Sequence, residues 1–404
     1  DAGNLFFCPV PDGVTRMTAS QKQFFVLVSG FVKADRRRGI DRVVRNILGY
    51  LLQAPPKGFI VCPVYTCSEK EGLFHANEML RKNYGIFDRP SEDTPVFWGK
   101  SDFLLLNMDR YKRSDCDQKD IFFQMHKDNV QIWTLIYDLW AAEHTEWYAQ
   151  SRSYEFTTLM HMIDRFDGII CDSRSVAKKV SFWLAQQQKG ITIPVRAFHL
   201  GCTIDNEYTD RGLPANANAM MAQFKQRPTF MTVATLKPRK RHLQALRAFE
   251  NLWGKNYDVN FLLVGSKPTE DHVSAEKLIN NIENHPELGK RLFWIHHASD
   301  EYVAKLYQSV SALLVPSEDE GFGLPVVEAA QYGLPLILRD IDIFHEVAGE
   351  HAFYFKGFEP TDLSDALEQW LELYTMGKEP STRGMKILTW KESAQMLLRE
   401  LGLC

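Results

Sequence analysis

The sequence predicts an α/β protein in which two doubly wound domains face each other across a cleft. Short apolar runs alternate with amphipathic stretches along both halves of the 404 residues, which is typical of parallel strands joined by crossover helices. The alternation is interrupted between Asn206 and Arg227, where polar and small residues accumulate as they do between domains. A chain of this length can bury two substantial cores.

The first domain is predicted to span residues 1–215, of which residues 1–20 show no clear period. Each predicted strand is a short, continuous apolar run, as expected where helices cover both faces of a sheet. The predicted strands are Gln23–Val32, Gly58–Val64, Phe103–Leu106, Ile132–Tyr137, Gly168–Cys171 and Val195–Leu200. The predicted helices are Ile40–Gln53, Ala76–Lys82, Trp147–Phe166 and Val176–Gln187.

The second domain is predicted to span residues 216–385, with the same alternation of strands and helices. Its predicted strands are Thr229–Ala234, Val259–Val264, Arg291–Ile295, Ala312–Val315 and Leu336–Leu338. Its predicted helices are His242–Leu252, Ala275–Glu283, Tyr302–Ser309, one that starts near Pro325, and Leu363–Leu373. Residues 386–404 contain a closing helix, Thr389–Leu401, whose apolar stripe we expect to pack back on the first domain.

The composition argues against several classes of protein. A net charge of -4 provides no overall attraction to nucleic acid, so no nucleic-acid partner is expected. Seven cysteines stand without a C-x-x-C pair or zinc-site spacing, which favours reduced thiols in a cytoplasmic compartment. No apolar stretch approaches the ~20 residues of a spanning helix, and no signal peptide is visible. The chain begins at Asp1 rather than Met, so its native flanks are open.

A glycine-containing turn between residues 317 and 335 is the most informative stretch. The apolar run Ser311–Pro316 predicts a buried strand, and Gly321 and Gly323 allow a close bend after it. Pro325 suits the first turn of the helix that follows. Such a turn directs unpaired N–H groups and the positive end of a helix dipole at whatever lies above it, so we expect phosphate there.

Two carboxylates, Glu320 and Glu328, flank this turn. A carboxylate among apolar neighbours costs free energy unless it is paired. Sugar hydroxyls are suitable partners, because one ionised carboxylate accepts from two vicinal O–H groups. The alternative is that Glu328 only complements the positive end of the helix dipole.

Four cations, Lys237, Arg239, Lys240 and Arg241, cluster directly after the predicted strand Thr229–Ala234. At the carboxyl end of a strand they face the cleft, so we expect them to neutralise a diphosphate. The alternative is a solubilising charge cluster at a helix start. Cations there oppose the helix dipole and need an anion to compensate, which disfavours that alternative.

A second basic turn, Lys33–Gly39, also joins a predicted strand to a helix. This arrangement suits phosphate, although a solvated run of charge explains the segment equally well. The cations Lys33, Arg36, Arg37 and Arg38 also suggest peripheral contact with the inner face of the plasma membrane.

Several of these segments resemble those of a known family. Glu320, seven residues and Glu328, filled by GFGLPVV, resemble the E-x7-E motif of retaining glycosyltransferases of family four, which have the GT-B fold. TLKPRKRH resembles the start of their donor domain. The segments KADRRRGIDRVVRN and NVQIWTLIYDLWAAEHTEWY are most similar to bacterial O-antigen polymannose mannosyltransferases, and the resemblance spans most of residues 24–401.

The resemblance implies a role for individual residues of this chain. Glu328 would hold the ribose, Glu320 the transferred sugar, and Arg239 and Lys240 the diphosphate. Asp138 joins Glu320, Arg239 and Lys240 as a candidate catalytic residue. The remaining candidates for donor binding are Gly39, Arg42, Thr235, Lys237, Gly321, Phe322, Gly323 and Leu324. His144 and Tyr137 are the candidates for acceptor binding, and a structural role is equally compatible with Asp138 and His144.

The resemblance also implies a reaction. A hexose, most often mannose from GDP-mannose, would move with retention to a glycan or lipid-linked oligosaccharide of a bacterial surface polysaccharide such as O-antigen or capsule. No cofactor or metal is expected, because fixed cations and helix N–H groups can stabilise the leaving diphosphate. The alternatives are a rhamnosyl- or other hexosyltransferase that uses another nucleotide sugar, a nucleotide-sugar epimerase, a phosphorylase, and a non-catalytic glycan-binding module.

Overall fold

A computed structural model of the protein describes residues 21–34, 39–109, 111–140, 150–186, 192–202, 209–268 and 272–404. Two separate sheets, each covered by helices, account for these ranges. The fold class predicted from the sequence, two doubly wound α/β domains, is confirmed.

Among the described residues, seven strands form the first sheet. They are β1 Lys22–Leu27, β2 Phe59–Tyr65, β3 Phe74–His75, β4 Phe103–Leu106, β5 Gln131–Ile136, β6 Gly168–Cys171 and β7 Val195–Ala197. The helices are α1 Ser29–Lys33, α2 Ile40–Gln53, α3 Asn77–Tyr84, α4 Arg113–Asp117, α5 Lys119–Lys127, α6 Gln150–His161 and α7 Arg174–Gln186, with a 3-10 turn at Ile163–Arg165. The strand order is β3-β2-β1-β4-β5-β6-β7, and all pairs are parallel except β2 with β3.

The second sheet has six described strands, all parallel, in the order β10-β9-β8-β11-β12-β13. They are β8 Thr229–Val233, β9 Asn260–Val264, β10 Leu292–Ile295, β11 Ala312–Val315, β12 Leu336–Arg339 and β13 Phe353–Phe355. The helices are α8 Ala217–Phe224, α9 His242–Gly254, α10 His272–Glu283, α11 Asp300–Tyr307, α12 Leu324–Gln331, α13 Asp342–Ala348, α14 Pro360–Thr375 and α15 Trp390–Leu401.

Chain order reverses between β8 and β11, and in the first sheet between β1 and β4. Connections leave in opposite directions at such a point and open a crevice beyond the carboxyl ends of the strands. The basic segment that follows β8 and the glycine turn that follows β11 therefore meet at one place. The topology brings together two motifs that lie far apart in the sequence.

Two predicted elements differ from the structure. The predicted strand Gln23–Val32 ends at Leu27, and helix α1 follows it, because the Phe31 N–H donates to Asp109 Oδ2 at 2.6 Å rather than to a neighbouring strand. The predicted irregular segment Asn206–Arg227 contains helix α8. Its Ala, Met and Gln residues are good helix formers, and Phe224 at its end packs edge-on against Phe293.

The two domains contact each other on both sides of the glycine turn. Ser173, which follows β6, donates its hydroxyl to the Gly321 carbonyl at 2.7 Å. The Glu346 carboxylate of α13 accepts from the N–H groups of Arg174 and Ser175 at 2.8 and 2.7 Å, where it complements the dipole of α7. These contacts bring the carboxyl ends of the two sheets to opposite walls of one cleft.

Helix α15 packs against α2 and β7 of the first sheet. Ser393 donates its hydroxyl to the His199 carbonyl at 2.7 Å, and a capping box of Thr389 and Glu392 starts the helix. Residues 1–20 and the cations Arg36, Arg37 and Arg38, which suggested membrane contact, lie outside the described residues. Within the described ranges, no helix combines the length and the apolar character needed to cross a bilayer.

Candidate active site

A cavity of about 640 Å³ lies in the cleft, between the carboxyl ends of the two sheets. Almost every residue that the sequence nominated lines this one cavity, although the residues come from both domains. The nominated residues on the cavity wall are Gly39, Arg42, Tyr137, Asp138, Thr235, Lys237, Arg239, Lys240, Glu320, Gly321, Phe322, Gly323, Leu324 and Glu328. His144 lies outside the described residues.

Glu320 is the centre of the charged part of the wall. Its carboxylate pairs with the Lys240 ammonium, and Arg239 Nη1 lies 3.3 Å from Glu320 Oε2. Ser317 donates its hydroxyl to Glu320 Oε1 at 2.8 Å. Burial alone would raise the pKa of Glu320, but the two cations outweigh it and hold this pKa below its ordinary value. Glu320 is therefore an ionised carboxylate at neutral pH.

Lys240 and Arg239 are held by the turn that Pro238 starts. Burial, assisted by the neighbouring Arg239 charge, lowers the pKa of Lys240 to about 8, although Glu320 opposes this shift. Arg239 Nη1 also donates to the Asp319 carbonyl at 2.9 Å. The protein's own acidic turn therefore supplies an anion to these cations.

Glu328 is paired across the cleft. Only 2% of its surface is exposed, and its Oε1 accepts from the Arg42 guanidinium of the first domain. The same guanidinium lies 2.5 Å from Asp300 Oδ1, and the Tyr307 hydroxyl donates to Glu328 Oε2 at 3.1 Å. Burial would lower the pKa of Arg42, but Glu328 and Asp300 outweigh it and raise that pKa. Arg42 therefore links α2 of the first domain to two carboxylates of the second.

The two glycines of the turn serve different purposes. A Cβ on Gly321 would lie 2.1 Å from the Tyr137 carbonyl oxygen, so only glycine allows the two domains to approach this closely. Gly323 has a φ of +86° and directly precedes α12, so it reverses the chain into the helix. The N–H groups at the start of α12 thereby face the cavity.

The first-domain wall is formed by the ends of β5 and β6. Tyr137 is mostly buried, and its hydroxyl donates to the Met108 carbonyl at 2.6 Å. Asp138 lines the cavity beside it, and its charge favours the protonated form of Lys240. Asp172, which follows β6, also lines the cavity and is 3% exposed. The wall opposite the cations is therefore acidic.

Several residues of the wall were not predicted from the sequence. Asp172, Ser266 and His296 each lie just beyond the carboxyl end of a strand, β6, β9 and β10 respectively. The rule that ligands bind beyond these ends could have nominated them, but it does not distinguish a side chain that faces the cavity from one that faces a helix. Among the described residues, no group of three or more His, Cys, Asp or Glu side chains is arranged to hold a metal ion.

Comparison with protein families identifies a match in the second domain. Residues 219–386, most of the second domain, match the family Glycosyl transferases group 1. The second domain therefore matches the group 1 glycosyltransferase family over nearly its whole length.

Individual relatives extend the similarity to the first domain. The chain is 36% identical over 397 residues to the serotype-specific mannosyltransferase WbdA of Escherichia coli, an alignment that covers 94% of this chain and 46% of WbdA. It is 30% identical over 125 residues to the O-antigen chain mannosyltransferase RfbU of Salmonella typhimurium, which covers 31% of this chain and 33% of RfbU. The chain thus spans about half the length of WbdA.

Solved structures share the fold over nearly the whole chain. Sucrose-phosphate synthase from Thermosynechococcus elongatus superposes with a TM-score of 0.65 at 16% identity, covering 95% of this chain and 99% of that enzyme. Anabaena HepE, solved in complex with UDP and glucose, gives a TM-score of 0.61 at 13% identity, covering 95% of this chain and 97% of HepE. The similarity to these structures establishes the GT-B arrangement of two Rossmann-like domains.

Proposed function

We propose that the protein transfers mannose from GDP-mannose to a glycan acceptor, lipid-linked or free, in the synthesis of a bacterial O-antigen polysaccharide. The observation that carries this proposal is the pairing of Arg239 and Lys240 with Glu320 at the point where the second sheet reverses its strand order. The similarity to mannosyltransferases over 94% of the chain supports the choice of sugar.

The donor would exchange the partners of this ion-pair group. Its diphosphate supplies the anion that Arg239 and Lys240 need, so Glu320 becomes available to accept hydrogen bonds from hydroxyls of the transferred sugar. The N–H groups of Phe322, Gly323 and Leu324, at the start of α12, add the positive end of a helix dipole. The diphosphate thus takes over the contacts with the two cations, and the sugar hydroxyls take over the contacts with Glu320.

The ribose would lie against Glu328. A carboxylate has about four lone-pair sites, and Arg42 and Tyr307 account for one contact on each oxygen. Two sites remain for a pair of vicinal hydroxyls. Arg42, from the opposite domain, thereby orients the Glu328 carboxylate that would bind the ribose. Gly39 would approach the diphosphate.

The chemistry follows from the placement of charge. As the glycosidic C–O bond breaks, negative charge grows on the diphosphate and the sugar becomes oxocarbenium-like. Lys240, Arg239 and the α12 N–H groups stabilise the leaving group without a metal ion. The acceptor hydroxyl attacks on the face that the diphosphate leaves, with retention, and its proton passes to the leaving phosphate oxygen. We place this reaction at the cytoplasmic face of the membrane, with peripheral contact.

The test is mass-spectrometric turnover of a panel of nucleotide sugars with a mannoside acceptor. We expect product from GDP-mannose with the native protein and none above background with Glu320→Ala. Glu318→Ala is the matched control, because Glu318 lies in the same turn and pairs with Arg241 but does not line the cavity. Product only from another donor, such as dTDP-rhamnose, would overturn the choice of sugar. Equal turnover by native protein and Glu320→Ala would overturn the site.

A further inference from the structure

Asp172 is an acid on the cavity wall that none of the roles above uses. It follows β6 directly and is 3% exposed, yet it lines the cavity. Its Oδ1 atom is buried without a hydrogen-bond partner among the described residues. A buried polar atom without a partner is destabilising, so such an atom in a residue that lines the cavity favours a ligand that supplies the missing hydrogen bond.

Three carboxylates, Asp138, Glu346 and Glu320, act on Asp172 with charge of its own sign. Burial raises the pKa of Asp172 well above its ordinary value, and the neighbouring Asp138, Glu346 and Glu320 carboxylates raise it further. This differs from Glu320, which stays ionised beside two cations. The Asp172 carboxyl group is therefore favoured in its neutral form, which has one O–H donor and retains acceptor lone pairs. A sugar hydroxyl offers the same combination.

The position of Asp172 selects the part of the substrate. Its Oδ2 lies 3.1 Å from the point where a Cβ of Gly321 would stand, so the carboxyl group packs against the backbone of the glycine turn. The next residue, Ser173, holds the same turn through its hydrogen bond to the Gly321 carbonyl. Gly321 lies next to Glu320, which the proposed function assigns to the transferred sugar, and just before the start of α12, whose N–H groups it assigns to the leaving diphosphate.

We propose that Asp172 binds one hydroxyl of the transferred hexose from the side opposite Glu320, and so contributes to selection of the sugar. The inference rests on the proposed function and extends it to the first domain. A phosphate at this position is disfavoured, because three carboxyl groups surround it. A site built to hydrogen-bond a substrate hydroxyl discriminates strongly against an analogue that lacks it, since the protein group is then left unpaired.

The test is a double-mutant-type cycle between the residue and the hydroxyl. Native protein, Asp172→Ala and Asp172→Asn are assayed for kcat/KM with GDP-mannose and with its four monodeoxy analogues, one for each free hydroxyl. We expect one analogue to react at least about 10-fold more slowly with native protein. With Asp172→Ala, that analogue and GDP-mannose should react equally slowly. Removal of any of the other three hydroxyls should change kcat/KM by the same factor in Asp172→Ala as in the native protein. Asp172→Asn should retain more activity than Asp172→Ala, because an amide also donates and accepts.

The control is Asp167→Asn, at the opposite end of β6. Asp167 accepts from the Ile132 N–H at 2.7 Å and does not line the cavity, so its effect should be additive with all four analogues. Additivity of Asp172→Ala with all four analogues, or coupling only to a hydroxyl of the acceptor, would overturn the inference. Absence of transfer by the native protein would overturn the proposed function instead, so the two failures are distinguishable.

Discussion

Each domain places a carboxylate with little exposure to solvent beyond the point where its strand order reverses, but the two carboxylates are held in opposite ways. In the first domain, Asp115 accepts from the Ser29 and Thr66 hydroxyls at 2.7 and 2.6 Å and from the Lys112 N–H at 2.7 Å. In the second domain, Glu320 is paired with Lys240 and Arg239 beside an open cavity. At this position, the hydrogen-bond sites of the carboxylate are taken by protein donors in the first domain, whereas in the second domain the carboxylate faces a cavity that can hold a ligand.

The pKa values follow from this difference. Burial raises the pKa of Asp115 to about 6, because hydroxyl and amide donors compensate the lost hydration only in part. The pKa of Glu320 is lowered, because two cations more than offset burial. Topology therefore indicates where a ligand can bind, whereas the local partners decide whether it does. A carboxylate held by hydroxyls stabilises its own domain, and one held by cations can exchange them for a ligand.

The largest expected effect is that of Glu320→Ala on catalysis. Loss of the carboxylate removes the contact to the transferred sugar and leaves Lys240 without its buried partner, so we expect kcat to fall about 10²–10³-fold, the range found for a lost transition-state contact. Steady-state kinetics with GDP-mannose measures this change. If Glu320→Ala retained the full kcat, Glu320 would be a structural carboxylate like Asp115.

The next largest effect is expected for Gly321→Ala, where the two domains touch. The added Cβ would lie 2.1 Å from the Tyr137 carbonyl, which cannot move without shifting β5. A displacement of about 1 Å at reacting groups can cost about 10²-fold in rate, and we expect a loss of that order in kcat/KM. Gly254→Ala is the control, because a Cβ there meets no atom within 4 Å and α9 is retained. Equal activity of the two variants would contradict the close approach.

A smaller effect is expected from the titration of Lys240, which should make kcat/KM depend on pH. Its pKa of about 8 in the free protein means that its charge is lost as pH rises through 8, so kcat/KM should fall on the alkaline side with a limb near pH 8. A bound diphosphate raises the pKa of Lys240, so the alkaline limb of the kcat profile should lie at a higher pH than that of kcat/KM. Lys240→Arg should move the alkaline limb of kcat/KM upward, because a guanidinium remains charged. If the alkaline limb of kcat/KM stays at the same pH in Lys240→Arg, the titrating group is not Lys240.

The smallest effect on activity is expected for Asp115→Asn. The asparagine oxygen can still accept from the Ser29 and Thr66 hydroxyls, but its NH2 group would face the Lys112 N–H, which is also a donor. We therefore expect a loss of about 1–3 kcal/mol in the free energy of unfolding. The kcat should stay within about twofold, because Asp115 does not line the cavity. Urea denaturation and steady-state kinetics measure the two quantities, and a large loss of kcat with unchanged stability would reverse the comparison.

The same variant tests the titration of Asp115. Its folded-state pKa of about 6 lies above the ordinary value of 3.8, so protonation stabilises the fold. This contribution is fully present below pH 3.8 and is lost as pH rises through about 6. The stability difference between native protein and Asp115→Asn should therefore change between these pH values and level off above them. A constant difference would mean that Asp115 is not the titrating group.

Much of the fold was determined by local features of the sequence. The continuous apolar runs at β4, β6 and β11 predict their strands to the residue, because a strand buried on both faces must be apolar along its length. Helix α2 likewise has the predicted bounds, since its apolar stripe and preceding glycine are local signals. The spacing of Glu320 and Glu328 and the basic segment after β8 also nominated much of the charged part of the cavity wall.

Only the tertiary structure decided which charges are partners. The pairing of Arg42 with Glu328 joins residues from different domains, and no spacing along the chain indicates it. Asp172 and Asp115 look alike in the sequence, but Asp115 is enclosed by donors, while one oxygen of Asp172 has no hydrogen-bond partner in the part of the chain that the structure describes. A sequence specifies the residues that must be buried, since burial follows from hydrophobic periodicity. The hydrogen-bond and charge environment of each buried acid depends on distances between segments, which arise only when the two sheets pack together.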